Sequence, residues 1–315
     1  MNISNFSIHH DKKIKYEMEM KRMNMLALLS LLCMLMLSCD NEVVDGDNGK
    51  DNPSSNSNNN LRSGQIEMKG YPDNNNRISF TATAKKITIN WGNGKVDEFT
   101  PNGVERTFTY EYLNSNYQTI LINAENLTYI GSITPDKNVP PGSGGAVNAY
   151  KYNELRFGDC PNLEQIKFPF NRLTVLDIKK AGALKILDCF SNSLTKLNLN
   201  GCKALETLDC AANLLTELDV SGLTALKYLD CGSINDSGIN RGYITSLNVS
   251  GCVALETLYC QGNQLTEEEL NKVFESLPTI TPTTDWWWNI RVSGNPGAST
   301  CDESIATSKG WKVGK

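Results

Sequence analysis

Residues 184–199, LKILDCFSNSLTKLNL, decide the fold of this chain. Their pattern, L-x-x-L-x-C-x-x-N-x-L-T-x-L-x-[LVI], occurs five times, with copies that begin at Leu163, Leu184, Leu205, Leu226 and Leu255. The first four copies start 21 residues apart, and the last interval is 29 because eight extra residues follow Cys231. A fixed period of this length predicts a solenoid, in which each repeat buries its apolar face only against its neighbours.

The first segment of each copy alternates as a β-strand does, so its leucine and cysteine are predicted to point inward. The predicted inward residues are Leu187, Cys189, Leu208, Cys210, Leu229, Cys231, Leu258 and Cys260, with Phe168 in the cysteine position of the first copy. A second set, Cys160, Cys202 and Cys252, falls in the turn before a leucine. The pattern predicts buried free thiols that act as small apolar side chains. Because there is no C-x-x-C pair, zinc is not expected.

The 21-residue period and the cysteine column resemble the short leucine-rich repeats of internalin-like surface proteins, over about residues 155–265. Asn192, Asn213 and Asn263 follow the cysteine by three residues, where we expect their amides to bond the backbone of adjacent coils. The resemblance implies a surface protein that presents a binding face.

Recognition is expected on the outward positions of the same strands. They form three columns: Ile186, Thr207, Tyr228, Thr257; Asp188, Asp209, Asp230, Tyr259; and Phe190, Ala211, Gly232, Gln261. Stacked aspartates repel one another by up to ~1 kcal/mol per pair in water. Three explanations of the stacked aspartates are open: solvation with help from Lys185 and Lys227, a Ca²⁺ or cationic ligand, and a carboxylate pair like that of a glycosidase. An open face disfavours the glycosidase explanation.

The predicted ligand-binding residues are Ile186, Asp188, Phe190, Tyr228, Asp230, Tyr259, Trp286 and Trp287. The tryptophans belong to the run Trp286–Trp288, in which alternation leaves at least one side chain exposed. The insertion of residues 233–241 is expected to form a loop beside this face.

Residues 1–38 read as a signal region, with Lys21 and Arg22 ahead of the apolar run 26–37. The run is shorter than the ~20 residues that a spanning helix needs. Met20 reads as a natural start, so residues 1–19 are a possible misassigned extension. Ser38 and Cys39 resemble the lipobox of bacterial lipoproteins, which implies a lipid on Cys39 and a place on the cell surface or outer membrane of a Gram-negative bacterium.

Residues 39–60 are predicted to be a disordered tether, since they have almost no large apolar side chains. The chain carries a net charge of −5 and no basic cluster, which argues against nucleic acid as a partner. His9 and His10 are the only histidines and lie ahead of the leader. A mature chain without histidine excludes Ser-His-Asp and Cys-His catalysis.

Residues 61–130 alternate in short runs, 78–82, 87–91, 107–110 and 117–122, between Asn, Gly and Pro clusters, which predicts an all-β sandwich. Residues 90–94, NWGNG, with Thr109-Tyr110 resemble landmarks of PKD-type immunoglobulin-like domains. Trp91 is expected in the core and Gly92 and Gly94 in a tight turn. The repeats are assigned to residues 131–265.

Residues 266–315 are predicted to form a C-terminal cap. Thr266 and Glu269 make a capping box ahead of a helix that Pro278 ends. The whole pattern predicts a mainly β, non-enzymatic surface lipoprotein without a cofactor, whose repeats bind a protein ligand as an adhesin or partner-binding module. The alternative is an accessory lipoprotein that binds or processes glycans.

Overall fold

The computed structural model describes residues 61–133, 152–233, 242–281 and 288–315. The described part is mainly β, with 34% of residues in strands and 7% in helices. No helix within these ranges combines the length and the apolar character needed to cross a membrane. The predicted signal region, Cys39, the tether, most of the insertion, Trp286 and Trp287 lie outside the described residues.

Six antiparallel strands form the N-terminal part. They are β1 (Gln65–Gly70), β2 (Arg77–Thr83), β3 (Lys86–Asn90), β4 (Val96–Phe99), β5 (Glu105–Glu111) and β6 (Gln118–Glu125). Trp91 is 1% exposed in the core, and Gly92 and Gly94 have φ of 87° and 88°, as the sequence predicted. The predicted runs 78–82, 87–91, 107–110 and 117–122 match β2, β3, β5 and β6. Strand β1 and the short, exposed β4 were not predicted.

Ten further strands follow, most of them three residues long. They are β7 (Tyr129–Ser132), β8 (Tyr152–Phe157), β9 (Gln165–Lys167), β10 (Val175–Asp177), β11 (Ile186–Asp188), β12 (Thr207–Asp209), β13 (Glu217–Asp219), β14 (Tyr228–Asp230), β15 (Ser246–Asn248) and β16 (Thr257–Tyr259). Repeat strands pair in parallel and in register, so that Leu187 lies beside Leu208 and Leu208 beside Leu229. Each repeat therefore places equivalent side chains side by side.

Both large sheets run through the N-terminal part and the repeats. Strand β7 pairs antiparallel with β2 and parallel with β9, while β8 pairs antiparallel with β1 and parallel with β10. The ten-stranded sheet ends at β5 on one side, and the six-stranded sheet has the order β10-β8-β1-β6-β3-β4. One continuous hydrophobic core fills the space that the sheets enclose.

The predicted inward ladders are present. Cys189, Cys210, Cys231 and Cys260 are buried and unbridged, as are the turn cysteines Cys160, Cys202 and Cys252. Phe168 fills the cysteine position of the first repeat and is fully buried. Cys301, which lies outside both sets of cysteines, is also buried as a free thiol, with its Sγ 3.6 Å from the carbonyl oxygen of Ala298.

The asparagine prediction is confirmed in detail at Asn263. Its Nδ2 donates to the carbonyls of Cys231 and Cys260 at 2.9 and 3.2 Å, and its Oδ1 accepts the N–H of Ile244 at 3.2 Å. Asn192 and Asn213 make equivalent bonds. One amide thus satisfies backbone groups of two coils that the turn would otherwise bury unpaired.

The C-terminal residues form α1 (Glu267–Ser276), β17 (Ile290–Arg291), α2 (Glu303–Thr307) and β18 (Val313–Gly314). Helix α1 begins as predicted, with the N–H of Glu269 donating to the Thr266 hydroxyl. Strands β17 and β18 add two parallel strands to the repeat sheet next to β16. The C-terminal segment therefore extends the outward face as well as covering the core.

Candidate functional site

The outward face of the ten-stranded sheet carries two rows of side chains set by the strand register. One row reads Lys167, Asp188, Asp209, Asp230, Tyr259, Arg291 and Gly314. The other reads Gln165, Ile186, Thr207, Tyr228 and Thr257. Neighbouring strands lie ~4.8 Å apart, so adjacent members of a row touch. The three aspartates are thus flanked by Lys167 at one end and by Tyr259 and Arg291 at the other.

Tyr228 and Tyr259 form an aromatic pair on this face. Their ring centroids are 5.8 Å apart at an interplanar angle of 81°, an edge-to-face contact. The Arg291 guanidinium lies over the ring of Tyr259, 5.9 Å from its centroid. Both tyrosines are half-buried, so packing holds each ring while leaving part of it accessible.

Trp288 adds a third aromatic ring at the C-terminal end of the same face. A Cβ built on Gly314 would lie 2.7 Å from indole atoms of Trp288, so the indole lies directly on this glycine. Gly314 is the register partner of Arg291. Trp288 is 46% exposed, which agrees with the prediction that one residue of the tryptophan run is accessible. We call Tyr228, Tyr259, Arg291 and Trp288 the aromatic patch.

The aspartate column has a structural role. One carboxylate oxygen of Asp188, Asp209 and Asp230 accepts the N–H of the residue two positions later, at 3.1, 3.2 and 3.0 Å. This bond turns the chain out of the strand. Lys185 and Lys227, which were expected to help this column, form their ion pairs with other side chains.

Lys185 and Lys227 instead pair with glutamates of the preceding repeat. Each lysine Nζ lies 2.8 Å from its partner, Glu164 or Glu206. These contacts join the same turn of successive repeats. Each lysine lies one position before its strand, and its ion pair is with the glutamate of the neighbouring turn.

The carboxyl group of Asp230 has an altered pKa. Burial raises the pKa of Asp230 to about 6, although the N–H of Gly232, the charge of Arg291 and the Tyr228 hydroxyl all favour the charged form. Burial therefore outweighs three favourable contacts. A carboxyl that titrates near neutrality lies at the edge of the aromatic patch.

Ile186 and Phe190 lie on the same face, two strands away from Tyr228 and three from Tyr259. Phe190 makes an edge-to-face contact with Phe170, with centroids 5.1 Å apart. Ile186 is half-buried beside Thr207. The predicted residues thus fall into two clusters: Tyr228, Asp230 and Tyr259 lie together, while Ile186, Asp188 and Phe190 lie nearer the N-terminal end of the repeats.

The sequence analysis missed Arg291, Phe170 and the position of Trp288 over Gly314. The signal for Arg291 was weak, since the segment 290–292 does not carry the repeat pattern. Across the described ranges, no group of three or more acidic, cysteine or histidine side chains is arranged to hold a metal ion.

No protein-family model matches this chain, and no curated protein matches it. Chains of solved structures do match. One is described as the functional domain of InlJ from Listeria monocytogenes, which includes a cysteine ladder; it is 27% identical over 47% of this chain, with a TM-score of 0.33. The match spans 38% of the InlJ chain, well under half its length.

Proposed function

We propose that this protein is a non-enzymatic binding protein that takes a protein ligand on the outward face of its ten-stranded sheet. The observation that carries the proposal is the aromatic patch, in which Tyr228 and Tyr259 contact each other and Arg291 lies over Tyr259. Tyrosine, tryptophan and arginine are the residues that most often dominate the energy of protein interfaces.

The environment of the patch supports a protein ligand. The rings are held by edge-to-face packing, so little side-chain freedom is lost on binding. The aspartate row continues from the patch along the sheet and offers negative charge beside the arginine. An apolar centre with charges of both signs around it matches the usual anatomy of an interface.

The proposal includes a location. A lipid on Cys39 would tether the chain to the surface of a Gram-negative outer membrane, with residues 40–60 as the spacer. Support comes from the leader pattern alone. Intact-mass measurement on the membrane fraction is expected to show a chain that begins at Cys39 and carries acyl groups. A mature chain that begins at another residue contradicts the anchor and leaves the binding face unaffected.

The binding proposal is tested with an array that carries purified extracellular-matrix and cell-surface proteins and, separately, glycans. Proteins retained on the array are then titrated against the wild type and against a Tyr228→Ala, Tyr259→Ala double variant. Loss of two interface anchors is expected to weaken binding at least ~30-fold. The control is a Tyr71→Ala, Tyr117→Ala double variant, which removes two exposed rings from the opposite sheet and is expected to bind as the wild type does.

A Trp288→Ala variant tests whether the ligand contacts both ends of the patch. If it weakens binding as much as the tyrosine double variant does, the ligand lies across the whole patch. Binding that survives loss of both tyrosines contradicts the proposal. Retention of glycans through Trp288 alone favours the alternative function, a glycan-binding accessory protein.

A further inference from the structure

A second aromatic pair lies on the outward face of the six-stranded sheet, far from the aromatic patch in the topology. Tyr71 follows β1 and Tyr117 precedes β6, and these strands pair with Gly70 opposite Gln118. The two ring centroids are 4.9 Å apart at 65°. The side chains are 49% and 41% exposed, so two large rings meet at a corner that is open to solvent.

A closed ring of four charged side chains lies beside this corner. Lys69 Nζ lies 3.3 Å from Glu67 and 3.4 Å from Glu154, and Arg156 Nη1 lies 3.4 Å from Glu67 and also contacts Glu154. Each cation bridges both carboxylates. The four side chains are 15–25% exposed, so they are largely held in place by the sheet.

The tyrosine corner and the charged ring are in electrostatic contact. Burial raises the pKa of Tyr117, and the nearby Glu154 and Tyr71 raise it further. Tyr117 therefore remains a neutral phenol that can donate a hydrogen bond at physiological pH. For Glu154, burial pushes the pKa upward, but the contacts with Arg156 and Lys69 outweigh it and hold the pKa below its ordinary value.

We propose that Tyr71, Tyr117 and the Glu67–Lys69–Glu154–Arg156 ring form a binding site for a neutral polysaccharide. Aromatic rings stack on the C–H faces of sugar rings. A corner of two tyrosines offers one ring face and one ring edge to the same sugar unit of the polysaccharide. The charged ring supplies fixed donors and acceptors for sugar hydroxyl groups. Because these groups are already ordered, binding costs little side-chain entropy.

Charge balance favours a neutral ligand. Two cations and two carboxylates cancel, so the site presents no net charge to attract an anionic polysaccharide or a charged peptide. The exposed apolar groups of this site are two tyrosine rings, whereas a stable protein interface buries ~800 Å² per partner. Short-range stacking and hydrogen bonding suit a small polyhydroxylated segment.

Affinity electrophoresis of the purified protein tests the proposal. Native gels contain laminarin, galactomannan, xyloglucan or yeast mannan as neutral probes, and heparin or polygalacturonate as anionic probes. Retardation by at least one neutral polysaccharide is expected. The Tyr71→Ala, Tyr117→Ala double variant is expected to lose at least tenfold in affinity for that probe, while Tyr117→Phe, which keeps the ring, loses less.

Thermal melts accompany each variant, because retardation is compared only between folded proteins. A Glu154→Gln variant breaks the charge balance while leaving both rings, and it is expected to weaken binding of the neutral probe. No retardation by any neutral polysaccharide overturns the proposal. So does retardation by heparin alone, or a double variant that binds as the wild type does.

This site is independent of the proposed protein-binding face. The Tyr228→Ala, Tyr259→Ala variant is the matched control and is expected to be retarded by neutral polysaccharide as strongly as the wild type. A failure of the polysaccharide test therefore leaves the protein-binding proposal intact, and a failure of the protein array leaves this site intact.

Discussion

The ring of Tyr228 meets the ring of Tyr259 edge to face at 5.8 Å, although one repeat and an insertion separate them in the sequence. Aromatic pairs of this geometry contribute ~0.5–1.5 kcal/mol beyond the area that they bury. We therefore expect a double-mutant cycle of Tyr228→Ala and Tyr259→Ala to show a coupling of that size in the free energy of unfolding, measured in urea. Tyr228→Ala combined with Ile186→Ala, two strands away, is expected to be additive within ~0.5 kcal/mol.

Stability is expected to depend on pH through Asp230. Its pKa is raised from 3.8 to about 6 by burial. As pH rises from about 4 to 6, the unfolded chain loses the proton while the folded protein keeps it. The free energy of unfolding should therefore fall across this window and level off above it.

Asp230→Asn keeps the oxygen that accepts the Gly232 N–H and removes the buried charge. The variant is expected to be more stable than the wild type by about 1–3 kcal/mol at pH 7.5 and to lose the fall between pH 4 and 6. Asp219→Asn is the matched control, because the exposed Asp219 makes the same turn bond to Ser221. A control variant that flattens the pH profile equally would refute the assignment to Asp230.

Asn263→Ala is expected to destabilise the protein by at least ~3 kcal/mol. The change leaves the carbonyls of Cys231 and Cys260 and the N–H of Ile244 without their amide partner, and buried groups without partners cost ~1–3 kcal/mol each. Chemical denaturation measures the loss. Asn198→Ala removes an amide from an exposed turn and should cost under ~1 kcal/mol; equal losses would show that burial is not the cause.

The position two residues after the cysteine has a left-handed backbone in several repeats. Ala212 has φ of 54° there, while Gly262 fills the equivalent position with φ of 71°. A residue with a Cβ pays ~1–2 kcal/mol for this conformation. Ala212→Gly should therefore stabilise the protein by up to ~1 kcal/mol, and Gly262→Ala should destabilise it by ~1–2 kcal/mol, as seen in thermal melts. The same sign for both changes would contradict the strain argument.

The ladder thiols are expected to be unreactive in the folded protein. Burial raises the pKa of Cys189, Cys210 and Cys231 well above the ordinary value of 9.0, so almost no thiolate forms at pH 8. Ellman titration should detect little thiol until denaturant is added. Cys301, which is less deeply buried, should react before the ladder. Mass spectrometry that finds several disulfides would contradict the free ladder.

Short-range pattern was sufficient to predict the repeat strands, their inward leucines and cysteines, and the asparagine turns. Each of these depends on a side chain's position within one period, which alternation determines locally. The Thr266 cap was predictable for the same reason. The pairing of Lys185 with Glu164 was not, since it depends on which turns meet when two coils stack.

The repeat period and one buried leucine per repeat set the strand register, so the amino-acid pattern was enough to predict that successive repeats place equivalent residues side by side. That Arg291 and Trp288 join Tyr228 and Tyr259 became visible only in the folded protein, because β17 and β18 add to the repeat sheet without carrying its pattern. The charged ring beside Tyr117 likewise brings together β1 and β8, which are distant in sequence. Contacts of this kind form when strands from different segments pair. The free energy of that pairing depends on both segments, so the sequence of one segment alone does not predict it.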